Sequence, residues 1–281
     1  VFKPHVRSLI AFNAESVIIP TIRSNGVLLA QVAPKGGRIC GTSSVMKLDG
    51  WNWQDAVQKT DDGIHLNWPS YFVQTGWWAQ PGDIKKTDNY QSNCQEIESY
   101  FDKAQSYYNN STREIDIPME AMTGLFNGQR RLYIHANTQR EIIDAVLFAN
   151  SMNIPHFAIV GAQQAHLITP FLNKHRVPLL LDRIHRLPAT EDSDVDMPYK
   201  QAKLLADAGI VFGLATWGYK IINRLGKDLT KISASRGFLI ELSAATTIII
   251  ASRTEMPVST THCQVGSIVG CGLVGGKKNI K

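Results

Sequence analysis

No Cys-x-x-Cys pair and no metal-knuckle spacing relates the four cysteines, Cys40, Cys94, Cys263 and Cys271. Neither a zinc ribbon nor a disulfide framework is therefore expected to organise the chain. Aromatic-interleaved basic stripes are missing too. The formal net charge of +5 comes from scattered lysines and arginines and from a terminal Lys-Lys-Asn-Ile-Lys. That distribution sets nucleic acid aside as a partner and suits the flank of a membrane segment. The start of the chain has neither Met nor a basic-then-apolar leader layout, and reads as the middle of a longer text. No uninterrupted apolar run reaches the about 20 residues that cross a bilayer unaided. The greasiest run, residues 237–252, is closed by Arg253 and Glu255.

What is present divides in two. A mean hydropathy of −0.12 with 19% charged residues over 281 positions fits a globular protein with a sizeable core. The average hides an asymmetry: from 237 to 276 the only charged side chains are Glu241, Arg253 and Glu255. The text before about residue 210 is polar and punctuated like a soluble enzyme.

Within that first part, residues 27–33 (VLLAQVA) read as a strand entering a Gly-rich turn, followed by a Trp-rich irregular stretch with Trp51, Trp53, Trp68, Trp77 and Trp78. Alternation then becomes regular. Strands are expected over 131–136, 156–161 and 177–182. Helices are expected over 138–153, over the segment AQQAHLITPFLNKH, and over YKQAKLLADAG, with a last strand at 210–214. Strand–helix repetition of this kind is the pattern of parallel α/β structure, barrel or open sheet.

Chemistry in such folds lies beyond the C-terminal strand ends. That places His135, Gly161 with Gln163, and the group Asp182, Arg183 and His185 at the candidate site. An imidazole at one strand end and a His/Asp/Arg group at another suit a mononuclear metal site or an acid–base site, and a strand-end histidine is otherwise a hydrogen-bonded structural residue. The acidic run at 191–196 lacks the glycine and terminal glutamate of a calcium loop, and reads as a solvated loop. The tryptophans suit either packing or a flat sugar or heterocycle.

The wording of four segments adds to this reading: residues 6–56, DDGIHLNWP, LYIHANTQREIIDAV, and VPLLLDRIHRLPATEDSDVDMPYKQAKLLADAG. They resemble the imidazolonepropionase-like branch of the amidohydrolase superfamily. The resemblance covers residues 1 to about 210 and implies an incomplete TIM-like (β/α) barrel, with a divalent zinc or iron ion activating water against the C–N bond of a cyclic amide. His135 matches the family's metal-binding histidine, and Asp182, Arg183 and His185 become candidate substrate contacts. The His-x-His of the first strand and the histidine of the sixth have no counterpart, residues 159–165 reading IVGAQQA instead.

From about 211 the text changes. SRGFLIEL, ATTIIIAS and MPVSTTHCQVGSIVGCGL resemble the C-terminal half of the inorganic phosphate transporter family, the sodium- or proton-coupled phosphate symporters. The resemblance implies α-helical membrane-type segments over 237–276, with Glu241 near a coupling cation and Ser259, Thr260 and Thr261 beside phosphate or sodium. The Gly-Ala-Asn-Asp signatures of that family's two repeats do not occur.

The expected organisation is thus 1–210 as an amidohydrolase-like partial barrel and 211–281 as a transporter-like helical segment, joined near 206–217 without a linker. Three functions follow: a hydrolase of cyclic amides short of most metal ligands, a phosphate-transport component held at a membrane, or a hybrid of two truncated texts that performs neither reaction. The first part is then exported or cytoplasmic, and its open barrel edges predict poor solubility.

Overall fold

A computed structural model describes residues 1–77, 80–110, 112, 114–182 and 194–210. The chain divides into two units, one built of residues 1–14 and 29–214 and the other including residues 15–28. The second contributes one described element, helix α1 (Ile18–Ser24), ended by a turn in which Gly26 takes φ +85°. The remaining described elements belong to the first unit.

Its strands are β1 (Leu29–Val32), β2 (Ile39–Lys47), β3 (Val57–Asn67), β4 (Phe72–Trp77), β5 (Gln80–Lys86), β6 (Arg131–Ala136), β7 (Phe157–Gly161) and β8 (Leu179–Leu181). Helices are α2 (Trp53–Ala56), α3 (Tyr90–Asn109), α4 (Ile117–Phe126), α5 (Gln139–Ser151), α6 (Thr169–His175) and α7 (Met197–Asp207). A six-stranded sheet runs in the order β1-β2-β3-β6-β7-β8, and β4 with β5 forms a separate ribbon. The first two junctions are antiparallel and the remaining three parallel. The four parallel strands β3, β6, β7 and β8 are half of a (β/α) barrel wall.

Alternation along these strands sorts the two faces. Ile64, Leu66, Leu132, Ile134 and Ile159 are fully buried on the helix side, together with Met122 and Leu125 of α4 and Ile142, Ala145, Val146 and Ala149 of α5. The α5 positions recur at i, i+3, i+4 and i+7, which is why this segment helps cover the sheet. Phe101 of α3 meets Phe148 of α5 edge-on with ring centroids 5.0 Å apart, closing the helical layer. The opposite face carries Gly63, His65 and Asn67 from β3 and Tyr133 and His135 from β6. The polar side chains of the C-terminal halves of β3 and β6 therefore gather on one side of the sheet.

Local chemistry fixes the element starts. Thr138 caps α5 in a reciprocal box with Glu141, and Asp116 caps α4 through the Met119 amide. The single helix expected across AQQAHLITPFLNKH is instead a 3-10 turn (Ala165–Ile168) followed by α6. Pro170 explains the break, because a ring without an N–H belongs in a first turn and not in a helix interior. The strand expected over 177–182 is Leu179–Leu181, and Pro178, which has no N–H for the ladder, accounts for its late start.

A second difference lies in the Trp-rich stretch expected to be irregular. It holds α2, β3 and β4, with β5, α3 and α4 following before residue 131. The polar first half of β3 (VQKTDD) masks its period, since Asp61 sits at φ 49° and shifts the pairing with β2 between Ser43 and Val45. The tryptophans do not form one cluster. Trp53 packs on a small core of Leu9, Met46 and Ala56, Trp51 is exposed, and Trp68 is buried.

The incomplete parallel (β/α) barrel expected from the sequence is present as a half-barrel. The membrane-type helices are not supported: among the described residues no helix is long and apolar enough to cross a membrane. Residues 237–276, and the strand expected at 210–214 beyond Ile210, lie outside the described residues.

Candidate functional site

The C-terminal ends of β3, β6, β7 and β8 line up through the parallel register. His65 pairs across with Tyr133, Asn67 with His135, and His135 with Val160. His135 therefore sits one same-face step beyond His65. The two rings meet diagonally, with His65 Nδ1 2.9 Å from His135 Nε2. A single proton shared between these nitrogens holds the pair together. The face of His65 stacks on Tyr133 with centroids 4.9 Å apart, and the ring is only 5% exposed. Its other nitrogen, Nε2, is buried without a hydrogen-bond partner.

Burial, then the neighbouring His135, push the His65 pKa down to about 4, with Asp62 opposing the shift. Burial also lowers His135, and there the charge of Asp182 opposes it. Both imidazoles are thus neutral at physiological pH, as a proton acceptor must be.

Behind this pair lies an anchored carboxylate. The Tyr133 hydroxyl donates to Asp62 at 2.6 Å, Gln31 Nε2 donates at 2.9 Å, and Lys59 pairs with it at 2.6 Å. Burial alone would raise the Asp62 pKa. The hydrogen bonds from Lys59 and Tyr133, with the charges of Lys59 and Arg131, outweigh burial and hold it below the usual carboxylate value. Gly63 makes the arrangement possible, since a Cβ there would overlap the Arg131 carbonyl and the Tyr133 ring.

The rim is tied by Glu141, which is 5% exposed. Its carboxylate accepts from the amides of Tyr71, Asn137 and Thr138 and from the Ser70 hydroxyl, at 2.9–3.1 Å. One side chain thus joins the loop after β3 to the turn after β6. The next turn is bound in by Gln164, whose Oε1 accepts from the Gln139 amide and whose amide donates to the Asn137 carbonyl. Gly161, at φ +93°, lies so close to Asn137 that a side chain would collide.

Of the residues singled out from sequence, the structure brings His135 and Asp182 together electrostatically and places Gly161 at the adjoining strand end. Arg183, His185, Glu241, Ser259, Thr260 and Thr261 lie outside the described residues. The run 191–196 behaves as expected where described, with Asp194 and Asp196 pairing to Lys200 at the surface.

The implied divalent metal does not fit the residues around His135. Its Nε2 is engaged by His65, and among the described residues no group of three His, Cys, Asp or Glu side chains is placed to hold an ion. Sequence reasoning missed His65, Tyr133 and Asp62. A signal existed for the first: Ile-His-Leu-Asn at 64–67 and Ile-His-Ala-Asn at 134–137 are near-copies on adjacent strands.

Comparison with known proteins gives two findings. Residues 145–281 match the model of the phosphate transporter family. Sodium-dependent phosphate transporter 1 of Pongo abelii and of Homo sapiens are each 31% identical to this chain over 251 residues, covering 86% of this chain and 32% of the relative. The corresponding protein of Xenopus tropicalis is 49% identical over 77 residues, or 27% of this chain and 11% of its own length. The chain thus spans about a third of the mammalian relatives (32%). In structure, an amidohydrolase from Thermotoga maritima MSB8 superposes with a TM-score of 0.63 at 18% identity, over 75% of this chain and 56% of that one. The transporter resemblance read from the sequence is therefore found, reaching upstream of residue 211, the start expected for it, and the amidohydrolase resemblance is found at the level of the fold. The transporter match begins at Ala145, inside α5, so that β7, α6, β8 and α7 fall within it while completing the half-barrel.

Proposed function

We propose that this chain is a component of sodium-coupled inorganic phosphate transport, membrane-associated through residues 237–276 and carrying an amidohydrolase-like half-barrel in its first 210 residues. The observation that carries this is the match of residues 145–281 to the phosphate transporter family, shared with relatives named as sodium-dependent phosphate transporters. In this reading Glu241 lies near the coupling cation, and Ser259, Thr260 and Thr261 offer hydroxyl and backbone donors to phosphate at a broken helix. The test is uptake of radiolabelled phosphate by proteoliposomes of the full chain under a sodium gradient. Uptake is expected with sodium and lost in Thr260→Ala and Glu241→Ala; uptake that is absent, or equal without sodium and with a proton gradient instead, sinks the sodium reading.

A second reading is favoured by the half-barrel itself: hydrolysis of a cyclic amide at the C-terminal strand ends. Because His135 Nε2 is engaged by His65, the acid–base alternative is the better supported one. The neutral pair would take a proton from water, with Asp182, Arg183 and His185 toward substrate. Release of the ring-opened product by wild type but not by His135→Ala supports it. Equal turnover by both proteins ends it. If neither activity is found, the hybrid reading stands, and one uninterrupted genomic read across the codons for residues 150–281 decides whether the junction is continuous.

A further inference from the structure

We infer that the β4–β5 ribbon is an interfacial membrane contact, lying in the headgroup region of an anionic lipid surface. This goes beyond the transport reading and does not depend on it. The ribbon forms its own sheet of two strands, and an isolated hairpin is marginal in water unless something covers it. Its base is fixed: Tyr71 donates its amide to Glu141 and accepts from Thr87, and Arg140 lies 4.7 Å from the centre of the Tyr71 ring. Phe72 leans edge-on against the Tyr71 ring, and the ribbon still leaves large apolar side chains open to solvent, with Phe72 42%, Val73 50% and Ile84 60% exposed.

Register decides what can cover them. Phe72 pairs with Lys86, Val73 with Lys85, and Gln74 with Ile84. Directly paired residues share a face and neighbours alternate, so Phe72 and Ile84 lie on one face and Val73 on the other. A flat protein surface covers one face of a ribbon, whereas a lipid interface reaches apolar groups on both faces at once.

Charge agrees. The exposed lysines Lys85 and Lys86 outnumber the ribbon's one carboxylate, Asp83, so an anionic headgroup layer attracts it. The sequence from the last residues of β4 into β5 reads Gly-Trp-Trp-Ala-Gln-Pro-Gly, and tryptophan is the side chain enriched at membrane–water interfaces. Among the described residues neither strand pairs with a third, and open backbone edges keep the ribbon out of the hydrocarbon core, where each unsatisfied group is costly. A shallow seat within about 5–10 Å of the headgroup boundary satisfies both demands.

Amide hydrogen exchange on the full chain tests this, with three conditions: no vesicles, phosphatidylcholine vesicles, and vesicles mixed with phosphatidylserine. Exchange in the 72–86 peptide is expected to slow several-fold with the anionic vesicles and less with the neutral ones. Lys85→Glu with Lys86→Glu should remove the anionic increment, and Phe72→Ser with Ile84→Ser the remaining protection, while peptides of β6 and α5 stay unchanged. Exchange over 72–86 that is identical with and without vesicles overturns the inference. So does protection that grows with protein concentration when no lipid is present, because a second copy of the chain is then the cover. Peptides from 237–276, read in the same experiment, report separately on the transporter-like segment.

Discussion

His65 Nδ1 and His135 Nε2 lie 2.9 Å apart at the C-terminal ends of two parallel strands, and the first of these rings is almost wholly buried. The folded protein holds the His65 pKa at about 4, against about 6.5 in an unfolded chain. Its unfolded state therefore binds more protons between those values. Folding stability is expected to be unaffected above pH 6.5, to fall as pH drops through 6.5 toward 4, and to level off below. The loss attributable to this group is on the order of 3 kcal/mol. Denaturant titrations at a series of pH values check the slope, and His65→Gln should flatten it. A wild-type midpoint that does not move between pH 7 and 4 refutes the reading of a buried neutral pair.

Gly63 is expected to be intolerant for a reason of space. A methyl group there would press on the Arg131 carbonyl and the Tyr133 ring, both held in the sheet. Gly63→Ala should cost about 1–3 kcal/mol as overpacking, and should disturb the Tyr133 stack on His65 with it. The check is a pair of measurements, unfolding midpoint and the His65 imidazole resonance. A variant as stable as wild type with an unchanged resonance shows that the neighbouring strand can move aside.

Much of the parallel half was legible because it repeats. The strands at 131–136 and 156–161 alternate with a helix whose cap, Thr138 with Glu141, is written in its first residues. Of the antiparallel half, β1 was legible in the strand expected over 27–33 and β2 was not. Thr42, Ser43 and Ser44 are buried polar residues in the middle of β2, covered on both faces, so no hydrophobic period marks the strand. Their hydroxyls are satisfied by distant partners instead: Thr42 by the Pro4 carbonyl and Ser43 by the Gly63 carbonyl. The site was half legible for a similar reason. His135 stands at a strand end, where a sequence pattern points. His65 is placed by the offset between two strands separated by the β4–β5 ribbon, α3 and α4, and that offset is set by tertiary pairing.

Glu141 acts as a tie for the loops around the strand ends. Four donors converge on a carboxylate that is out of solvent. Glu141→Ala strands several of them, and a loss of about 2–4 kcal/mol is expected from unsatisfied buried groups. Glu141→Gln keeps the volume but replaces one acceptor oxygen by a donor, and should cost less than the alanine. Equal midpoints for wild type and Glu141→Ala would show that water replaces the carboxylate without penalty.

Tyr90 occupies the corresponding position on the outer layer. Trp68 Nε1 donates to its hydroxyl at 3.0 Å, and that hydroxyl donates to Asp144 at 2.7 Å, beside Arg140 at 3.5 Å from the same carboxylate oxygen. Burial, the Asp144 hydrogen bond and the charges nearby push the phenol far above its ordinary pKa, so it stays a neutral relay between indole and carboxylate. Tyr90→Phe removes one oxygen and breaks both bonds. Asp144 keeps Arg140, whereas the buried Trp68 N–H is left with no acceptor in this layer. A destabilisation of about 1–3 kcal/mol is therefore expected, with the indole side bearing most of it. The double variant Trp68→Phe with Tyr90→Phe separates the two bonds: it should recover part of the loss, because the orphaned donor is gone. A double variant that loses the sum of the two single losses would mean that the indole and the phenol contribute independently, through packing and not through the hydrogen bond between them.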